Sequence, residues 1–122
     1  MPHLTLHYTA NLAGFDADAA LDDINRRLAD SGHFEESAIK SRALALQHYR
    51  VGTAGVERSF VHAHLKVLPG RDEATRRALS QTIVTALQAQ LPSHHPVTQL
   101  CVEVTELDAG TYSKLVIDAS QP

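Results

Sequence analysis

Pro2 is the residue of this sequence with the most distinctive potential chemistry. Initiator Met is normally removed before a small residue, and removal of Met1 would turn Pro2 into a secondary amine at the chain terminus. A free α-amino group has an ordinary pKa of about 8, and burial or a neighbouring cation lowers it. Such an amine is neutral near pH 7 and can act as a general base on a carbon next to a carbonyl. If Met1 is retained, the nitrogen is an amide without basicity, and Pro2 simply begins an edge strand.

Three cationic side chains are placed where they could bind an anion. Lys40 and Arg42 alternate on one side of a predicted strand, so together they could clamp a dianionic substrate. Arg71 opens a helix directly after a strand, where free backbone N–H groups help to bind a carboxylate or enolate charge. The alternatives are that Lys40 and Arg42 pair with Glu103 or Glu106 across the sheet, and that Arg71 is solvated beside a helix cap.

Two further kinds of side chain could line a site. Tyr112, near the chain end, could form an apolar wall or be an ordinary core residue. His3 and His7 share one side of a predicted strand, and His62 and His64 share one side of another. Such pairs could in principle hold zinc or nickel. Because no carboxylate or cysteine accompanies them at a recognisable spacing, we interpret them as a polar lining and predict no metal site.

Alternation of apolar and polar residues predicts four strands. In chain order they cover residues 3–8, 38–49, 58–68 and 97–107. Between the strands of each successive pair, apolar residues recur at helical spacing and predict two helices. Asp16 and Asp72 can cap these helices at their N-termini, and Gly32 and Pro92 end them. The segment 110–117 is expected to add a short final strand.

The order of these elements is strand, helix, strand, repeated twice. This order favours parallel pairing within each unit. Gly14 and Gly70 are 56 residues apart, and so are Asp16 and Asp72. Each pair lies between a strand and a helix, which is typical of a repeated supersecondary unit.

We therefore predict one α+β domain over residues 1–122, with two β-α-β halves of about 1–56 and 57–122. The halves form a four-stranded mixed sheet with both helices on one face. The other face carries the four strand histidines and Lys66. A face of this mixed character usually meets another molecule, and a symmetric oligomer would cover it.

Composition argues against several functions. The net charge of −3 is not the clustered basic excess of a nucleic-acid-binding protein. The single cysteine, Cys101, allows no internal disulfide. No apolar run approaches the roughly 20 residues of a membrane span, and the N-terminus lacks the features of a secretory signal. We expect a cytoplasmic protein whose partner is a small carboxylate, with neither nucleic acid nor membrane as partners.

Four stretches of the sequence resemble one known family. They are residues 2–4, 39–42, 60–66 and 70–72. In this order and spacing they resemble the tautomerase superfamily, and within it the 5-carboxymethyl-2-hydroxymuconate isomerases. Residues 102–107 are similar to the last strand of that family, and Gly70-Arg71 resembles the pair that opens the helix in 4-oxalocrotonate tautomerases. One departure is Lys40, where the family is expected to have Arg, because Lys cannot grip a carboxylate with a planar fork.

The resemblance implies a homotrimer of double β-α-β protomers that needs no metal and no cofactor. It implies an isomerase that moves a proton within an unsaturated 2-hydroxy or 2-oxo dicarboxylate, as in the catabolism of aromatic compounds. Pro2 is then the base, and Arg71, Arg42, Lys40 and Tyr112 bind the substrate.

Other functions stay open at this point. A non-catalytic trimeric protein of the same fold could bind small molecules, which the departure at Lys40 favours. A metal-binding module could use the histidine-lined face. A relative that dehalogenates or hydrates its substrate would share both the fold and the N-terminal proline, because one fold hosts several reactions.

Overall fold

Four strands form one mixed sheet in the computed structural model, which describes residues 1–119. The strands are β1 (His3–Thr9), β2 (Lys40–Leu46), β3 (Arg58–Val67) and β4 (Val97–Glu106). Their order across the sheet is β2-β1-β3-β4. β1 is parallel to β2 and β3 is parallel to β4, whereas β1 and β3 are antiparallel. This confirms the predicted mixed sheet of two β-α-β units.

A helix connects the two strands of each parallel pair. These helices are α1 (Ala17–Asp30) and α2 (Glu73–Gln90). Each begins where an aspartate was predicted to cap it: the carboxylate accepts the N–H three residues further on, at 3.0 Å for Asp16 and 2.8 Å for Asp72. This hydrogen bond lowers the pKa of the Asp72 carboxyl.

The predicted helix ends are also confirmed. Gly32 follows α1 with a φ of 80°, in the left-handed region that glycine adopts without strain. Leu91, which precedes Pro92, is extended with φ −64° and ψ 136°. An extended conformation is what proline imposes on the residue before it, so α2 cannot continue.

Both helices cover the same face of the sheet, as the sequence pattern predicted. Side chains of β3 are buried alternately along the strand, and those of α1 and α2 that face the sheet are buried at helical spacing. The core is aliphatic, and its largest fully buried side chains include Leu4, Leu6, Ile24, Leu28, Val61, Leu65, Ile83 and Leu87. The protomer therefore has a single layer of helices over the sheet.

The opposite face of the sheet carries polar side chains. Residues that lie directly opposite one another on neighbouring strands point to the same face. Along β1 and β3 the opposed pairs on this face are His7 with His62, Thr5 with His64 and His3 with Lys66. No helix of residues 1–119 packs on this face, which we call the open face.

Two expectations about strands were wrong. The second strand is shorter than 38–49, because a 3-10 turn occupies Glu36–Ala38 and the partner strand β1 ends opposite Leu46. The expected final strand at 110–117 is not present in residues 1–119. A turn in which the carbonyl of Asp108 accepts the N–H groups of Thr111 and Tyr112 follows β4, and within residues 1–119 the segment after this turn joins no strand of the sheet.

Leu87→Ala is expected to lower the free energy of unfolding by about 3 kcal/mol, because it leaves a cavity between α2 and the sheet. Leu87 is fully buried, whereas its neighbour Gln88 is exposed. Gln88→Ala is the matched control and should change stability little. Urea denaturation at equal protomer concentration measures both. Equal effects of the two substitutions would contradict this account of the core.

Candidate active site

Chain segments from all four strands meet at the end of the sheet that carries the N-terminus. His3, the first residue of β1, lies opposite Lys40 on the parallel strand β2 and opposite Lys66 on the antiparallel strand β3. Lys66 lies opposite Thr105 near the end of β4. The sheet topology therefore brings residues that are far apart in sequence around Pro2.

Pro2 is fixed at the head of β1. Its side chain is fully buried. Its carbonyl oxygen accepts a hydrogen bond from the backbone N–H of Lys40 at 3.1 Å, which extends the β1–β2 ladder by one residue. The nitrogen of Pro2 consequently has a defined position beside the start of β2.

The N-terminal amine, which belongs to Met1 in this structure, lies in surroundings that disfavour its charged form. Burial, followed by the positive charges of Lys40 and Lys114, lowers its pKa from 8.0 to about 6. With a pKa of about 6, roughly ten amines are neutral for each charged one at pH 7.

His3, which follows Pro2 in the chain, is also surrounded by positive charges. Burial is the largest cause of its lowered pKa, followed by Lys40, the N-terminal amine, Arg42 and Lys66. Its Nε2 atom lies 2.9 Å from the hydroxyl of Tyr112, and the two rings are T-shaped with centroids 5.9 Å apart. Because the amine and the imidazole flank Pro2 on both sides, the Pro2 nitrogen lies within this positive field.

Lys40 and Arg42 do not pair with the carboxylates considered as their partners. β2 and β4 are opposite edges of the sheet. Glu103 is bound to His62 at 3.1 Å and lies 3.7 Å from His64, while Glu106 lies 3.7 Å from Arg76. The Lys40 ammonium donates to the carbonyl of Ala38. Arg42 is exposed and forms no ion pair within residues 1–119, so both cations remain available to an anion.

Arg71 also lies at this end of the sheet, but it is held by its own chain. Its Nη2 donates to the carbonyl of His33 at 2.8 Å and its Nη1 to the carbonyl of Leu68 at 3.3 Å. The guanidinium lies 4.6 Å from the ring centroid of Phe34. Two of its five N–H donors are thus engaged, and the remaining three are left for a ligand.

The histidines of the open face have protein partners. His62 hydrogen-bonds Glu103, which lowers the pKa of that carboxyl, and His64 lies 2.6 Å from the hydroxyl of Thr105. Within the described part of the chain, no group of three or more His, Cys, Asp or Glu side chains is arranged to hold a metal ion.

Sequence reasoning placed Lys66 on the open face without assigning it to the site, and it missed Lys114. The chain has three lysines, Lys40, Lys66 and Lys114, and all three act on the N-terminal amine or on His3. The sequence did offer one signal for these residues: lysine is scarce, because eight of the eleven cationic residues are arginines. We call Lys40, Arg42, Lys66 and Lys114 the cationic cluster.

Comparison with solved structures places this fold among known proteins. A 5-carboxymethyl-2-hydroxymuconate isomerase from Deinococcus radiodurans R1 is 29% identical, with a TM-score of 0.83 over 93% of this chain and 88% of that chain. A 5-carboxymethyl-2-hydroxymuconate delta-isomerase is 23% identical, with a TM-score of 0.74 over 95% of this chain and 88% of that one. A fused 4-OT, described as a symmetric trimer, is 13% identical, with a TM-score of 0.70 over 93% of each chain.

The fold is that of the tautomerase superfamily, and the chain is an isomerase. The sequence model of the 5-carboxymethyl-2-hydroxymuconate isomerase family matches residues 2–119. The chain belongs to this family, as its motifs predicted. No curated protein is significantly similar to it in sequence. Within residues 1–119, neither helix has the length and apolar character needed to cross a bilayer.

Lys40→Met is expected to raise the pKa of His3, because it removes the cation whose charge most disfavours the imidazolium. The His3 resonances followed by NMR across pH 4 to 9 measure this shift. Arg50→Met, which removes a charge in the loop between β2 and β3 at the far end of the sheet, should leave the His3 titration unchanged. A His3 pKa that does not respond to Lys40→Met would contradict the electrostatic description of the site.

Proposed function

We propose that this isomerase moves a proton within an unsaturated 2-hydroxy or 2-oxo dicarboxylate, with Pro2 as the general base after removal of Met1. The observation that carries the proposal is the placement of Pro2: its ring is buried and its carbonyl is held by Lys40, next to an N-terminal amine whose pKa is lowered to about 6 by burial and by the charges of Lys40 and Lys114. A neutral amine close to anion-binding cations is suited to proton transfer on a carboxylate substrate.

The position of the base follows from the fixed geometry of Pro2. Removing Met1 leaves the amine on Pro2, whose ring is buried and whose carbonyl is held by Lys40. The positive charge of Lys40 lowers the pKa of the Met1 amine and of the His3 imidazole, which flank Pro2. The same charge therefore also disfavours a protonated Pro2 amine. The match to the family model begins at residue 2, which is consistent with a mature chain that starts at Pro2.

The proposed reaction is a balanced proton shuttle. The neutral Pro2 nitrogen takes a proton from the 2-hydroxyl group or from the carbon next to the carbonyl. The electron pair that is released moves into a conjugated dienolate, whose oxygen carries the negative charge. Pro2, now cationic, returns the proton to a carbon further along the conjugated system. The substrate is isomerised, and Pro2 is neutral again.

The substrate class follows from the positive charge of the site. Lys40 and Arg42 lie on one face of β2, two residues apart, and have no carboxylate partner within residues 1–119. We assign them to the carboxylates and developing enolate charge of a 5-carboxymethyl-2-hydroxymuconate-like substrate. Arg71 supplies a further cation through its remaining donors, and Tyr112 forms a wall beside His3. Such a reaction belongs to the cytoplasmic catabolism of aromatic compounds.

A homotrimer is the assembly that we propose. The site is open to solvent on one side, because Arg42, Lys66 and Lys114 are all exposed in the protomer. Apolar side chains around the open face and in the tail are also exposed: Leu44 by 58%, Val97 by 75% and Leu115 by 82%. A ring of protomers would cover these surfaces and enclose the site. The fused 4-OT with a similar fold is described as a symmetric trimer.

Pro2→Ala is expected to lower kcat/KM by about a hundredfold or more for ketonisation of 2-hydroxymuconate-type dienols, because a well-placed general base contributes about that much and the alanine amine that replaces it is not held by a buried ring. The wild type should show a fall in kcat/KM as the pH drops below neutrality, because burial and the neighbouring lysines lower the pKa of an amine at this terminus and its protonation removes the base. Stopped-flow absorbance measures both, on protein whose intact mass confirms the loss of Met1.

The control for this experiment is the oligomeric state, because Pro2 is buried and its replacement could disturb assembly. Sedimentation should give the same assembly for wild type and variant. An active Pro2→Ala variant would contradict the role of Pro2. An inactive wild type that lacks Met1 would favour the non-catalytic binding protein of the same fold.

A further inference from the structure

The turn that follows β4 is fixed by backbone and side-chain hydrogen bonds. Leu107 donates its N–H to the carbonyl of Val67 at 2.8 Å, one step beyond the last pair of the β3–β4 ladder. Asp108 then closes the turn: its carboxylate accepts the N–H of Gly110 at 2.9 Å, and its carbonyl accepts the N–H of Tyr112 at 3.1 Å. The backbone from Leu107 to Tyr112 therefore has a defined path.

A side-chain contact joins this turn to the first strand. The hydroxyl of Tyr112 lies 2.9 Å from Nε2 of His3, and the two rings meet edge to face, with centroids 5.9 Å apart and an interplanar angle of 73°. Because β3 lies between β4 and β1, the contact bridges two strand spacings, or about 10 Å. Both residues are partly buried, which shields the hydrogen bond from competing water. The tyrosine therefore reaches across the end of β3.

His3 belongs to a row of side chains that crosses the sheet. Lys40 on β2 and Lys66 on β3 lie directly opposite His3, and Thr105 on β4 lies opposite Lys66. Side chains at opposed positions point to the same face, and their Cβ atoms are about 5 Å apart. His3 therefore holds the Tyr112 hydroxyl on the open face, between two strands that each contribute a lysine.

The chemistry of this pair suits an anionic ligand. A hydroxyl that accepts a hydrogen bond through its oxygen can still donate its own hydrogen. When Nε2–H of His3 donates to the oxygen of Tyr112, the hydroxyl hydrogen is free for an oxygen of a bound carboxylate or enolate. The lysines beside the pair attract the same anion, and a hydrogen bond to a charged oxygen is stronger than one between neutral groups. The pair thus adds a donor with a fixed direction beside flexible lysine side chains.

We propose that His3 is a positioning residue of the Pro2 site: its ring holds the hydroxyl of Tyr112 in place, and that hydroxyl donates a hydrogen bond to a carboxylate or enolate oxygen of the substrate. This proposal rests on the proposed function for the base and for the anionic substrate. It goes further in giving His3 a role and in making Tyr112 a hydrogen-bond donor as well as a wall. Because His3 follows Pro2 directly, one strand then fixes the base and, through the imidazole, the donor.

The test compares a set of variants of the mature protein. Tyr112→Phe removes the hydroxyl, and His3→Phe removes the ring nitrogens while an aromatic ring remains. The double variant completes a thermodynamic cycle, which shows whether one residue acts through the other. His3→Gln is the conservative replacement, because its amide nitrogen can reach the position of Nε2. His7→Phe is the matched control, because His7 is also partly buried and lies on the same face of β1.

Two measurements need no turnover. The NMR shifts of the ring nitrogens of His3 report its hydrogen bond to Tyr112, and the corresponding shifts of His7 serve as the reference. Calorimetry gives the affinity of each protein for adipate, a dicarboxylate. Sedimentation checks that every variant keeps the assembly of the wild type.

Tyr112→Phe is expected to move the Nε2 shift of His3, to leave that of His7 unchanged and to weaken adipate binding by about tenfold, because one hydrogen bond to a charged oxygen is lost. His3→Phe should weaken adipate binding by less, about threefold, because the hydroxyl remains but is no longer held. The loss in the double variant should equal that of Tyr112→Phe alone, since His3 acts through the hydroxyl. Both His3→Gln and His7→Phe should bind adipate about as well as the wild type.

Three results would overturn the proposal: an Nε2 shift of His3 that Tyr112→Phe leaves unchanged, a double variant whose loss of affinity is the product of the two single losses, or a wild type that does not bind adipate. A wild type that shows the coupling but no isomerase activity counts against the proposed reaction alone. An active enzyme in which the effects of the His3 and Tyr112 substitutions multiply counts against the role of His3 alone.

Discussion

The backbone hydrogen bond from Lys40 to the carbonyl of Pro2 sets the position of everything at the N-terminal end of the sheet. It aligns the heads of β1 and β2, and the β1–β3 register then places Lys66 beside His3. A shift of β2 by one residue would move Lys40 and Arg42 to the helix-covered face, because side chains alternate along a strand. The aliphatic core prevents that shift, since it would bury both cations. The packing of the core and the chemistry of the site thus depend on the same register.

Positive charge is concentrated at this end of the sheet although the chain as a whole carries a net charge of −3. The cationic cluster is drawn from β2, β3 and the tail, and the carboxylates of β4 are turned to other partners, His62 and Arg76. Mutual repulsion within the cluster costs stability, and exposure to solvent keeps that cost modest. A bound carboxylate removes the repulsion. The arrangement therefore favours an anionic ligand and a neutral amine for the same electrostatic reason.

Local sequence signals predicted the architecture well, because each depends on a few neighbouring residues. The aspartate caps, Gly32 and Pro92 act within one turn of their helices, and alternation along a strand reports which face is buried. The length of the second strand was wrong because its end depends on where β1 stops, and the final strand was wrong because the chain turns at Asp108 and the residues after it join no strand of the sheet. The proximity of Lys66 and Lys114 to the N-terminus was missed for a related reason. Their proximity to Pro2 arises from strand register and from the turn at Asp108, and neither can be read from local spacing.

Lys40 can donate hydrogen bonds in directions that an arginine at this position could not. The ammonium carries three donors on one nitrogen, which diverge in space, whereas the donors of a guanidinium lie in one plane. One donor of Lys40 reaches the carbonyl of Ala38, and the charge of Lys40 lowers the pKa of the nearby N-terminal amine. The other two donors are left for an anion. A planar group could grip a carboxylate in two places, but it would meet the carbonyl and the anion together only if both lay near its plane. Lys40 therefore gives up bidentate binding and gains donors that reach in different directions.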